Sequence, residues 1–180
     1  MSGDERLRLF LALRIPDEVL NEIERWQQQL TGVRIVPREH LHVTLAFLGR
    51  RPAGELESIG EALRDAAAGL ATRPGEIRLT PVRYRETRSV GMLVLEDDGG
   101  QATLLAADVQ ERLERLGVYR REGRPWLPHL TVARWRERPR LRLEPPPVRT
   151  FVPSDAAAYL SRLHPDGARY EVLESVALGG

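Results

Sequence analysis

Two six-residue stretches decide how this chain reads: HVTLAF at residues 42–47 and HLTVAR at 129–134. Each runs His, aliphatic, Thr, aliphatic, Ala, and then a variable position. Alternate residues of a β-strand share a face. His42 and Thr44 therefore point one way, while Val43 and Leu45 point into the layer behind. His129 and Thr131 share a face in the same manner, opposite Leu130 and Val132. The aliphatic side chains anchor each strand and the polar pair is left for a cleft.

The surroundings of the two stretches also match. Arg6 to Arg14 (RLRLFLALR) reads as a buried strand. Pro16 then opens an amphipathic helix with Val19, Leu20, Ile23, Trp26 and Leu30 on one face and Gly32 as its stop. Leu41 to Leu48 is the next strand, closed by Gly49, and Pro52 opens a second helix that ends near Gly69. Strands are predicted over Ile77 to Tyr84 and Ser89 to Glu96, the second running into an Asp97-Asp98-Gly99-Gly100 turn. A helix over Gln101 to Leu116, capped by Gly117, leads through an arginine-rich loop to the strand His129 to Trp135. Pro139 to Pro147 is irregular, and Ala156 to Leu163 with Ala168 to Leu178 form a closing hairpin around His164-Pro165-Asp166-Gly167. Each half thus runs strand, helix, His-x-Thr strand, and 129 − 42 = 87 residues is close to half of the 180. A lone His-x-Thr strand is more often structural than functional. Recurrence in matching contexts reverses that weighting and points to an internal duplication.

Composition narrows the chemistry. The chain holds 27 basic and 26 acidic residues, and every basic one is arginine. A lysine nucleophile or P-loop lysine is excluded, and the lack of cysteine excludes disulfides, thiol nucleophiles and zinc-thiolate sites. The arginine bias reads first as genome composition, although a guanidinium grips phosphate bidentately where an ammonium does not. The longest apolar runs fall far short of the ~20 residues of a membrane span. Met1 to Arg6 carries both charge signs and no signal-peptide pattern, so a soluble cytoplasmic location is expected.

If the two units are related by a pseudo-two-fold axis, the His-Thr pairs face one another across a groove. Two imidazoles flanking one atom suit an in-line displacement in which one takes a proton and the other gives one. A reference pKa of about 6.5 allows one ring to be neutral and the other protonated near pH 7. The threonine hydroxyls can donate to non-bridging phosphate oxygens. No metal is needed for this, and none is expected.

LHVTLAFLG and WLPHLTVAR resemble the two signatures of the two-histidine phosphoesterase superfamily, in its RNA 2′,3′-cyclic phosphodiesterase (2′-5′ RNA ligase) branch. The opening RLFLAL strand and the late SRLHPDGARYEVL segment are similar to that family as well, so the resemblance covers nearly the whole chain. It implies an α+β, bilobal, duplicated fold forming a single domain over residues 1–180. In that fold two antiparallel-rich sheets face each other across a central cleft, with helices on the outer faces. It implies hydrolysis of an RNA terminal 2′,3′-cyclic phosphate to a 2′-phosphate, with reversible 2′-5′ ligation in some members and no cofactor. His42 would be the proton donor to the 3′ oxygen, His129 the base for water, and Thr44 and Thr131 the phosphate ligands. The expected partner is RNA with cyclic phosphate ends, tRNA fragments being a candidate source, acted on by a monomer. Two alternatives stand beside this: a catalytically silent single-strand RNA-binding module, and a phosphodiesterase for small cyclic nucleotides or 2′-5′ oligonucleotides.

Other residues are ambiguous. Phe47 and Arg134 share a slot five residues after their histidines, which strict alternation turns away from them unless a bulge intervenes. Arg134 is the candidate phosphate ligand that the resemblance suggests, and Phe47 is a core residue or a base-stacking platform. His40 reads as a loop residue supporting the site, and His164 as surface. Two arginine groups (83, 85 and 88; 120, 121 and 124) read as solvated faces that could track an RNA backbone.

Overall fold

A computed structural model of the chain describes residues 5–179. The N-terminal tetrapeptide, on which the reading of the chain start largely rests, lies outside them. The order is β1 (Arg6–Arg14), α1 (Asp17–Gln27), β2 (Arg34–Ile35), β3 (His42–Pro52), α2 (Leu56–Ala71), β4 (Arg78–Glu86) and β5 (Val90–Asp98). Then come α3 (Gln101–Arg115), β6 (His129–Arg134), β7 (Ala156–His164) and β8 (Gly167–Val176). Two antiparallel four-stranded sheets result, ordered β3-β1-β7-β8 and β2-β6-β5-β4. The fold class is the expected α+β arrangement.

The duplication is visible in the pairing. β1-α1-β3 and β5-α3-β6 are equivalent units, and in each the two strands lie side by side, antiparallel. β1 carries a near-continuous apolar run because both of its faces are covered: Leu9 and Leu11 join the main core, while Phe10 and Ala12 pack with Ala157 and Tyr159. The main core is one contiguous cluster that includes Leu11 and Leu45 from one sheet and Leu93 and Leu130 from the other. α1 buries Val19, Leu20, Ile23 and Trp26, as its 3.6-residue spacing requires. α3 starts after Gly100, whose φ of +73° suits glycine. Asp97 caps that helix by accepting from the backbone N–H groups of Ala102 (3.2 Å) and Thr103 (2.7 Å).

Several boundaries move. β3 continues past Gly49 to Pro52, because β1 offers partners that far, Arg6 pairing with Pro52. α1 stops at Gln27, before Leu30, although Leu30 stays in the core. β2 was not predicted: two residues carry no periodicity. This strand belongs by sequence to the first half yet pairs with β6 in the second sheet, Arg34 opposite Arg134. The segment after β6 is irregular as expected, and it is tied to the buried Glu86. That carboxylate accepts from Arg138 Nε (3.0 Å) and from the backbone N–H groups of Arg140 (2.9 Å) and Leu141 (2.7 Å). No helix among the described residues is long and apolar enough to cross a membrane.

Candidate active site

Both histidines are held the same way. His42 Nδ1 lies 2.7 Å from the carbonyl of His40, and His129 Nδ1 lies 2.8 Å from the carbonyl of Leu127, each two residues back. A carbonyl only accepts, so in both rings Nδ1 carries the hydrogen and Nε2 is the atom left for chemistry. Thr44 Oγ1 sits 3.1 Å from His42 Nε2, where the hydroxyl donates to the neutral ring. His42, Thr44, His129 and Thr131 all line one cleft of about 340 Å³. The sequence-predicted pairs therefore do meet across a groove.

The two variable slots also reach this cleft, contrary to strict alternation. Leu11 pairs with Ala46 and Ala12 with Thr44, which leaves Leu45 as an extra residue in β3. Gly91 pairs with Ala133 and Met92 with Thr131, leaving Val132 extra in β6. Each motif strand thus bulges three residues after its histidine. Two consecutive side chains go inward (Leu45 and Ala46; Val132 and Ala133), and parity inverts beyond them. Phe47, 50% exposed, and Arg134 emerge on the cleft side. Phe47 carries the Arg8 guanidinium 5.2 Å from its ring centroid, a cation–π contact.

The bulged carbonyls draw side-chain donors from outside their strands, Val132 O also accepting from the Val36 N–H at 3.0 Å. Gln110 Nε2, from α3, donates to Leu45 O at 2.8 Å. Gln27 Nε2, from α1, donates to Val132 O at 3.0 Å and to Val36 O at 2.9 Å. Both glutamines are buried, and each reaches across to the motif strand of the other half. Trp126 adds a third crossing bond, from Nε1 to Thr44 O at 3.0 Å. None of these three was singled out from sequence, where a polar residue on an apolar helix face and a Trp three residues before His129 were the available signals.

Aromatic rings pack around His42: Phe10 at 4.8 Å between centroids, Tyr170 at 5.7 Å and Tyr159 at 6.2 Å. This burial, with the neighbouring His40, His129 and Arg134 acting in the same direction, pushes His42 from 6.5 down to about 4, against the opposing effect of its bond to the His40 carbonyl. His42 is therefore neutral near pH 7 in the ligand-free protein. His40 lies against Tyr170, 4.2 Å between centroids, and burial lowers its pKa as well. It lines the cleft as a wall residue, consistent with a supporting place beside the site.

Among the described residues the cleft is lined by no carboxylate but by three arginines, Arg8, Arg34 and Arg134. Arg8 and Arg34 were missed, the first inside an apolar strand and the second on the unpredicted β2. The arginines at 83, 85, 88, 120, 121 and 124 do not line the cleft. Arg121 instead pairs with Glu114 at 2.8 Å and Arg124 with Glu122. His164 is exposed in the hairpin.

Comparison with known proteins accords with this geometry. The model of the 2'-5' RNA ligase superfamily matches residues 15–164. A Thermus thermophilus protein named RNA 2',3'-cyclic phosphodiesterase is 34% identical over 97% of this chain and 91% of its own length. A Methanocaldococcus jannaschii protein of the same name is 28% identical over 71% of each. The crystal structure of TT0787 from Thermus thermophilus superposes with a TM-score of 0.78 at 30% identity, covering 97% of this chain and 99% of that one. E. coli LigT complexed with 3'-AMP gives 0.81 at 23% identity, over 98% and 100%, a likeness of fold. With the matching model spanning both motifs and the bulged strands that carry them, this chain belongs to the 2'-5' RNA ligase superfamily.

Proposed function

We propose that this protein hydrolyses the 2′,3′-cyclic phosphate at an RNA end to a 2′-phosphate, all of 1–180 serving as one catalytic domain. The carrying observation is the pair of histidines, each held through Nδ1 by the carbonyl two residues back, opening on one cleft that has no carboxylate among the described residues. His129 takes a proton from water as it attacks phosphorus, and His42 gives one to the departing 3′ oxygen. Thr44 and Thr131 donate to the non-bridging oxygens, Arg134 adds charge to the same anion, and Phe47 offers a face to a base. Attack of a 5′ hydroxyl in place of water on the same phosphorus, with the 3′ oxygen again leaving as a hydroxyl, would give a 2′-5′ linkage in the same geometry.

Because His42 is neutral before substrate arrives, its role as donor depends on the phosphate anion drawing a proton onto it. The names of the relatives support the substrate class. The test is incubation of an oligonucleotide ending in a 2′,3′-cyclic phosphate in excess chelator, followed by end-group analysis. A 2′-phosphate is expected. A 3′-phosphate, turnover only with added metal, or binding without product would each overturn the reading, the last in favour of a silent RNA-binding module.

A further inference from the structure

The cleft holds more positive charge than its reaction needs. A 2′,3′-cyclic phosphodiester is a monoanion, whereas Arg8, Arg34 and Arg134 all face the cleft without a carboxylate partner among the described residues. Arg8 is engaged with the Phe47 ring. Arg34 and Arg134 are directly opposite in the β2–β6 register. Side chains so paired stand on the same face with Cβ atoms roughly 5 Å apart, and like charges there are destabilising unless something neutralises them. That arrangement is what an anion-binding pair looks like before its anion arrives.

The seat of Arg34 is built. Its Nη2 contacts the Asp166 carbonyl at 3.4 Å, and the guanidinium lies over Gly167 in the β7–β8 turn. A Cβ on Gly167 would fall 2.5 Å from that Nη2, and the φ of +127° at Gly167 also favours glycine. The head of Arg34 is therefore drawn to the β7–β8 turn, where the cleft opens into a second hollow of about 430 Å³. Arg34, His40 and Tyr170 line both hollows, while His42, His129 and Arg134 line the first alone. Arg169, Glu39 and Asp166 border the second, one positive against two negative, so Arg34 brings its charged lining only to balance, and the positive excess lies on the side of the first hollow.

Resting on the reading above, we infer that Arg34 binds the phosphate on the 5′ side of the terminal nucleotide. One ribose separates that phosphate from the cyclic one, so Arg134 would hold the reacting anion and Arg34 its neighbour. A free nucleoside 2′,3′-cyclic phosphate lacks the second anion, and an RNA end always has it. Arg34 is on this account the residue that makes the enzyme prefer polymer ends to small cyclic nucleotides.

The test uses two substrates that differ by one group: a nucleoside 2′,3′-cyclic phosphate and the same compound with a 5′-phosphate. The readout is the ratio of their kcat/KM values, which cancels any damage common to both. The native ratio should favour the 5′-phosphorylated compound by roughly 10- to 100-fold, the worth of a charge-assisted contact. Arg34→Gln should bring it close to one, and Gly167→Ala, by displacing the guanidinium, should lower it in the same direction. An equal loss on both substrates would place Arg34 on the reacting phosphate and overturn the inference. So would a native ratio near one, or a ratio that survives Arg34→Gln. Native protein that turns over neither compound, nor a cyclic-phosphate-ended oligonucleotide, would instead remove the activity itself.

Discussion

Substrate should change the charge of His42. Burial holds this imidazole near 4 against 6.5 in water, so at pH 7 only about one molecule in a thousand carries the proton that a donor must give. At about 1.36 kcal/mol per pKa unit, the displacement from 6.5 is roughly 3.4 kcal/mol. A phosphate monoanion about 4 Å from the ring, at an effective dielectric constant near 20, contributes on the order of 4 kcal/mol in the opposite sense. The two effects nearly cancel, and bound substrate should return His42 to between about 6 and 7. The assay is NMR titration of the imidazole protons in a His129→Gln protein, which holds a nucleoside 2′,3′-cyclic phosphate without turning it over. His42 is assigned by its loss in His42→Ala. Without ligand the resonance should titrate near 4; with saturating ligand it should move up by about two units or more. A His42 that stays below about 5 in the complex could not hold the proton, and the donor role would pass to His129. The same depressed value makes a linked stability prediction. Unfolded protein binds the proton that folded protein refuses, so the contribution of His42 to stability is full above about 6.5 and is lost as pH falls towards 4.

Other expectations concern turnover and stability. His42→Ala and His129→Ala should each lower turnover by about 10²–10⁴, and the double variant should fall well short of the product of the two losses, because the pair acts as one unit. On a phosphodiester with a nitrophenolate leaving group, His42→Ala should be largely rescued and His129→Ala should not; the opposite pattern exchanges the roles. Gln110→Met and Gln27→Met keep side-chain bulk but remove the side-chain donors to the bulge carbonyls of Leu45 and Val132, the latter keeping its bond from the Val36 N–H. Each should lower kcat more than it raises KM, and Gln110→Met alone should be partly rescued by the activated leaving group. A purely structural role would lower the melting temperature and leave the rate per folded molecule unchanged. Glu86→Ala strands the donors of Arg138, Arg140 and Leu141, and should cost about 2–4 kcal/mol in chemical denaturation. A loss below about 0.5 kcal/mol would show that the segment after β6 does not depend on it.

The sequence carried the repeat because the repeat is a matter of period and residue type. Alternation along HVTLAF and HLTVAR put His42 with Thr44 and His129 with Thr131, and the strand–helix–strand order around each was enough for the architecture. It failed five residues on, at Phe47 and Arg134, because a bulge is set by how a neighbouring strand pairs, and β1 and β5 are remote from β3 and β6 in sequence. Arg34 was hidden for a related reason. A strand of two residues leaves no pattern, and its importance comes from a partner about a hundred positions away and a turn more distant still. Gln27 and Gln110 looked like ordinary helix polar residues until their acceptors were known.

The crossed glutamines make the halves interdependent as objects, whatever their common origin. α1 is encoded beside the first motif but braces the second, and α3 is encoded beside the second but braces the first. A chain cut between α2 and β4 would give two fragments, each holding a clamp with nothing to grip and a bulge with nothing to grip it. Recombining the fragments would restore both contacts at once. Each histidine strand thus depends on a helix from the opposite half of the chain.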